Sequence, residues 1–195
     1  MATCSNKDFT LTECNASPSG INKFVMEYDL TDWLAMERAG LITRAANGSI
    51  ESITNAVGVQ AYKREVPSNG IILPVATPSQ VEGGFPNFRL TFNYTFIATD
   101  QDAKNAAKSS LYKDKVLIIY KNSGEGEVWG DEQGLILSGG AYDPSNIQTG
   151  NQIPLEMATD ERKSGENNYP VSIVDPAGAQ ATLDMILGLT VVGAA

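Results

Sequence analysis

The 195-residue chain contains no histidine. That absence removes the commonest general base, the Ser-His and Cys-His nucleophile pairs, and most zinc and iron sites. Cysteine is almost absent as well: Cys4 and Cys14 stand alone, ten positions apart. They could bridge in an oxidising setting, yet two cysteines without histidine partners are most often reduced thiols, and a zinc site would need two more ligands. No apolar run is long enough to span a bilayer, since Met185 to Ala195 is interrupted by Gly188, Thr190 and Gly193. Basic residues are few, 14 Lys and Arg against 23 Asp and Glu, and the formal net charge of -9 is spread along the chain. Such a surface disfavours tight nucleic-acid binding, which needs clustered cations to release counterions. Met1 to Glu13 is polar and Thr-rich without an apolar segment behind a charged one, so no secretory signal is expected and synthesis in a cytoplasm is. A phosphate loop is missing too, because Ser138-Gly139-Gly140 lacks the Lys and Ser/Thr that must follow.

What is present is the punctuation of a strand-rich protein: 18 glycines and 9 prolines, with much Asn, Ser and Thr. One domain with elaborated loops is expected over residues 1–195. Phe88, Leu90, Phe92, Tyr94 and Phe96 alternate with Arg89, Thr91, Asn93 and Thr95, which predicts a strand with one aromatic, buried face and one polar face. Thr99 or Asp100 then caps a predicted helix to about Tyr112, with Ala103, Ala106, Ala107 and Leu111 on a narrow apolar stripe beside Lys104, Lys108 and Lys113. Val116 to Tyr120 resumes a nearly all-apolar strand.

Elsewhere, Ile21 to Tyr28 alternates imperfectly and is predicted as a strand, and Thr31 caps a short helix that ends at Gly40. Asn47-Gly48 predicts a hairpin between Leu41 to Arg44 and Ser49 to Thr54, and Gly58 to Glu65 a further strand. Val66 to Pro86 reads as a long connection without regular structure. Short strands are expected at Glu127 to Gly130, Gly134 to Gly140, Gln152 to Thr159 and Pro170 to Val174. Gln180 to Leu187 is compatible with a helix or a strand. The fold class is therefore mainly β, a sandwich or barrel with a flanking α-helix.

The sharpest catalytic pattern is Glu125, Glu127, Asp131 and Glu132 around Trp129, where paired carboxylates beside an aromatic would suit glycoside hydrolysis or a sugar subsite. Its plainer reading is a Gly-rich turn with solvated charges and Trp129 packing one end of a core. Asp131, Glu132, Asp143 and Asn146 lie near turns, but the spacing of a calcium loop is missing. Lys104, Lys108, Lys113, Lys115 and Lys121 form the only basic cluster, read as a solvated helix face.

With its polar start carrying Cys4 and Cys14 and its segment from Val128 to Leu135, Val-Trp-Gly-Asp-Glu-Gln-Gly-Leu, the chain resembles virion structural proteins of phages infecting Bacteroidota. Its arrangement of strands and helix is similar to tail tube proteins of long-tailed bacteriophages. The resemblance implies a non-enzymatic protomer of six-fold rings, whose sheets join into an inner barrel and whose rings stack through a loop and terminal arms. It implies a virion location, no cofactor or metal, partners that are copies of itself and other virion proteins, no membrane, and DNA only as cargo that is not gripped. On that reading Arg89, Thr91, Asn93 and Thr95 line the lumen. Inter-subunit contacts are expected from Ile71, Ile72, Leu73 and Val75 in the 66–86 loop, and from Leu187, Leu189, Val191 and Val192 in a C-terminal arm over residues 185–195. A capsid decoration or head-to-tail connector protein fits the same setting, and a carbohydrate-binding module or carboxylate glycoside hydrolase around Trp129 is the reading from another class.

Overall fold

The computed structural model describes residues 20–67, 72–79, 87–97, 105, 108, 112–140, 152–160, 169–191 and 193. Within them lie eleven strands and two helices, arranged as a helical layer, a seven-stranded sheet and a four-stranded sheet. The seven-stranded sheet runs β2 (Ile42–Arg44), β3 (Ile50–Ile53), β11 (Val171–Ile173), β8 (Gly126–Trp129), β7 (Lys115–Tyr120), β1 (Phe24–Asp29) and β4 (Tyr62–Glu65). Its pairs are antiparallel except that of β3 with β11. The second sheet, β5 (Ile72–Ser79), β6 (Asn87–Ile97), β10 (Gln152–Ala158) and β9 (Ile136–Gly139), is antiparallel throughout. The fold is a β-sandwich with helices on one flank.

The middle layer explains the apolar run from Val116 to Tyr120. Every residue of β7 is buried. Val116, Ile118 and Tyr120 face the helical side, where they meet Trp33, Met36 and Ile186; Leu117 and Ile119 face the other sheet, where they meet Phe92, Tyr94 and Met157. A strand covered on both faces needs apolar residues in both phases. The expected two-faced strand is β6: Leu90, Phe92 and Tyr94 are buried between the sheets, and Phe92 sets its ring edgewise on Tyr94 and Trp129 at 5.8 and 5.6 Å. The side chain of Phe96 lies outside the described residues.

Helix α1 (Leu30–Arg38) starts one residue before the expected Thr31 cap, because β1 runs straight into it and Asp29 takes the N-cap position. The Leu30 N–H donates to Asp114 O at 2.9 Å, fixing the corner. The helix stops where expected, with Gly40 at φ +71, a left-handed position that a residue with a Cβ occupies only at a cost. The hairpin at Asn47-Gly48 forms as read, and Asn47 Oδ1 accepts the Ser49 N–H at 3.1 Å.

Two expectations are corrected. The 66–86 connection holds a regular strand: β5 pairs with β6 from Ile72 to Ser79, and prolines at 74 and 78 are tolerated because β5 is an edge. The C-terminal segment is no loose arm either. Ala179–Gly188 forms helix α2, and the chain after it is bound to residues 55–61 of the same protomer. Asn55 Nδ2 donates to Leu189 O and Val191 O, Gly193 bridges Val57, and Ala61 N–H donates to Leu189 O. The approach at Gly193 is close: a Cβ there would lie 2.1 Å from Ala56 O. Of the helix expected over residues 100–112, only Asn105 and Lys108 are described before Tyr112, both helical and exposed. Among the described residues no helix is long and apolar enough to cross a membrane.

Candidate functional site

Three places carry chemistry. The first is the outer face of the four-stranded sheet. Directly paired residues share a face, so Leu73, Val75 and Thr77 of β5 lie beside Asn93, Thr91 and Arg89 of β6, with Pro154, Glu156 and Ala158 of β10 beyond. The four residues expected to line a lumen, Arg89, Thr91, Asn93 and Thr95, are thus together on this face and half-buried. Leu73 and Val75, expected at subunit contacts, share it and are 51% and 44% exposed. No described layer covers it. Its charge is close to balanced, with Arg89 donating to Asp160 O at 2.9 Å and Glu156 exposed, so the acidity of the chain is located elsewhere. Ile72 turns inward against the inter-sheet core. Leu187 and Val191 are exposed on the helical side, whereas Leu189 is 2% exposed in its own core and is not an available contact residue. Ile71 and Val192 lie outside the described residues.

The second place was not legible as a site. Glu27, in the phase of Val25 on β1, points between the sheets and is 1% exposed. It accepts Lys115 Nζ at 2.9 Å and Arg64 Nε at 2.9 Å. Lys115 also reaches Asp29 Oδ1 at 2.7 Å, and Lys113 pairs with Asp29 from the exposed side. Tyr94 of the opposite sheet faces the same carboxylate; burial first, then the Glu27 charge, push its ionisation well above the ordinary tyrosine value. Strands β1, β4, β7 and β6 therefore meet in one ionic cluster within the core. Burial alone would raise the Asp29 carboxyl, but the Lys113 and Lys115 ammonium groups outweigh it and hold the pKa below the usual aspartate range.

A folded pKa below the unfolded one contributes stability that is complete above the unfolded value of roughly 4 and is lost as the pH falls through the folded value. Asp29→Asn is therefore expected to lower stability at neutral pH. Urea titrations at stepwise lower pH should show the gap between variant and parent closing in acid. A gap that stays constant down to about pH 2 would mean that the lysines do not bind Asp29 through its charge.

The third place is where the carboxylate motif falls. Trp129 is 5% exposed and packs the inter-sheet core, as in the plainer reading, so it offers no ring to a sugar. Glu125 and Glu127 share Lys121 at 3.3 and 2.8 Å. Asp131 is held separately: Trp33 Nε1 donates to its Oδ1 at 2.8 Å, and Arg44 Nη2 contacts Oδ2 at 2.8 Å while binding Glu37 Oε1 at 2.7 Å. Burial alone would lower the Arg44 pKa, but Asp131 and Glu37 reverse this and raise it. Arg44, Asp131 and Glu132 line a cleft of about 730 Å³ together with Tyr169 to Ser172. Asp143 and Asn146 lie outside the described residues. The missed members, Trp33, Glu37 and Arg44, come from a helix and a hairpin that were read from their cap and turn residues and carry no catalytic or binding motif.

Comparison of the chain with protein-family models, with curated proteins and with solved structures found no match.

Proposed function

We propose that the chain is a virion structural protein, a tail tube subunit that assembles with copies of itself into stacked rings around a channel for DNA. One observation carries the reading. The four-stranded sheet ends in two strands, β5 and β9, that have no further strand beside them among the described residues, apart from the bridge of Leu135, just before β9, to Lys115, and no described layer covers its outer face. Because β5, β6, β10 and β9 alternate in direction, β5 and β9 run oppositely. Rotation that brings β9 of one copy beside β5 of the next continues the antiparallel order without a break, and repetition closes the sheet into a barrel.

The chemistry of β5 suits selective pairing. Edge strands carry proline with the ring nitrogen turned away from the sheet, so Pro74 and Pro78 put positions 72, 74, 76 and 78 on the outer ladder. Only Ile72 and Ala76 keep outward donors there, while all four positions keep acceptors. An edge of this kind resists indiscriminate pairing. The outer face would become the lumen, lined by Thr91, Asn93 and Thr95 with the opposite charges of Arg89 and Glu156. DNA would pass because clustered cations are lacking there, and repulsion by an acidic wall is not needed.

The test is electron microscopy of concentrated protein. Tubes with a central channel are expected, and Ala76→Pro, which removes one of two outward donors, should abolish them and leave a folded monomer by circular dichroism. Normal tubes from Ala76→Pro would rule out pairing through β5. Protein that stays monomeric, or that decorates capsids without forming tubes, would overturn the tube assignment.

A further inference from the structure

We propose that the cleft between the β2–β3 turn, the Asp131-Glu132 turn and the start of β11 is a binding site for a neutral polyhydroxylated ligand, a saccharide unit or short glycan. The site is separate from the sheet edges that would build a tube and goes beyond that reading. Its volume, about 730 Å³, lies within the roughly 300–1,000 Å³ of small-ligand pockets.

The floor is set before any ligand arrives. Arg44 is fixed by Glu37 and Asp131, and Asp131 is fixed by the buried indole of Trp33. A ligand therefore meets groups whose ordering has already been offset by folding. The bonds of Arg44 use Nε and Nη2, so Nη1 has no partner among the described residues and can donate to a hydroxyl. At the turn, Asn47 Oδ1 is occupied by the Ser49 N–H and hydroxyl, leaving the Asn47 amide nitrogen as a further donor at the rim.

Tyr169 supplies the apolar platform. The residue is 59% exposed, yet its ring is held against Phe88 at a centroid distance of 4.0 Å, which leaves surface for the C–H face of a sugar ring. Charge narrows the class. Arg44 is already paired with both Glu37 and Asp131, which disfavours phosphate and nucleic acid, and a cationic ligand would have to displace Arg44 from Asp131. Neutral hydroxyls with an apolar ring face fit what remains.

Saturation-transfer NMR reads binding from the ligand's protons and works on a monomer or a tube, so its outcome is independent of assembly. The probes are glucose, galactose, mannose and N-acetylglucosamine with their trisaccharides, and adenosine monophosphate and putrescine as an anion and a cation. At least one saccharide should receive saturation at about millimolar affinity, and Tyr169→Ala, a change at an exposed position, should weaken it about tenfold or more. Asn47→Ala should weaken it less. The proposal is overturned if every saccharide is silent, if the charged probes bind and the sugars do not, or if Tyr169→Ala binds the saccharide as the parent does.

Discussion

Replacing Glu27 by alanine is expected to destabilise the protein by about 3–5 kcal/mol, the usual cost of removing one partner from a buried ion pair. The carboxylate is 1% exposed and receives both Lys115 and Arg64. Without it Lys115, itself 2% exposed, keeps only Asp29, and Arg64 loses its bond to a buried carboxylate. A domain whose total stability is roughly 5–15 kcal/mol tolerates such a loss badly. Glu27→Leu combined with Lys115→Met should recover the part of the loss that comes from leaving Lys115 buried opposite no Glu27, because apolar replacements of a buried pair are often neutral. The losses of the Arg64–Glu27 and Lys115–Asp29 contacts remain. Urea denaturation of Glu27→Leu, Lys115→Met and the double variant measures the coupling. A single-variant cost under about 1 kcal/mol would show that the cluster does not hold β1, β4 and β7 together.

The cluster also shows where sequence reading ends. The aromatic alternation of β6, the Asn47-Gly48 hairpin and the unbroken apolar run of β7 were legible because each depends on neighbours within a few residues. The imperfect alternation of Ile21 to Tyr28 was legible too, but its meaning was not. A lone Glu in a strand normally marks solvent, and Glu27 is instead buried by cations from β4 and β7, the latter 88 positions along the chain. Residues 72–79 were hidden by prolines, which punctuate loops far more often than they occupy edge strands. The choice between helix and strand near the C-terminus was settled by tertiary contacts: Ile186 and Leu189 turn into the core under β3 and β8, and the Thr182 hydroxyl accepts the Asp175 N–H and donates to Gly178 O. The lumen-facing set was legible as one face of one strand. Its neighbours on β5 and β10 were not, since register between distant strands leaves no local trace.

The helical layer and the cleft are joined by one side chain, and its removal is expected to affect both. Trp33 is fully buried in the core under α1, tilted against Tyr28 at a centroid distance of 5.6 Å, and it donates its indole N–H to Asp131. Trp33→Ala should cost about 3–5 kcal/mol from lost burial and the cavity left behind. Trp33→Phe separates the two roles, because it keeps most of the apolar contact and removes the donor. Asp131 would then be held by Arg44 alone, at the end of a turn that lines the cleft. The expected result is a smaller loss of stability, about 1–3 kcal/mol, together with greater mobility of the Gly130 to Gly134 turn in amide hydrogen exchange. If Trp33→Phe leaves exchange in that turn unchanged while Trp33→Ala unfolds the protein, the indole acts through packing alone. Arg44 would then owe its position to Glu37 and the β2–β3 hairpin.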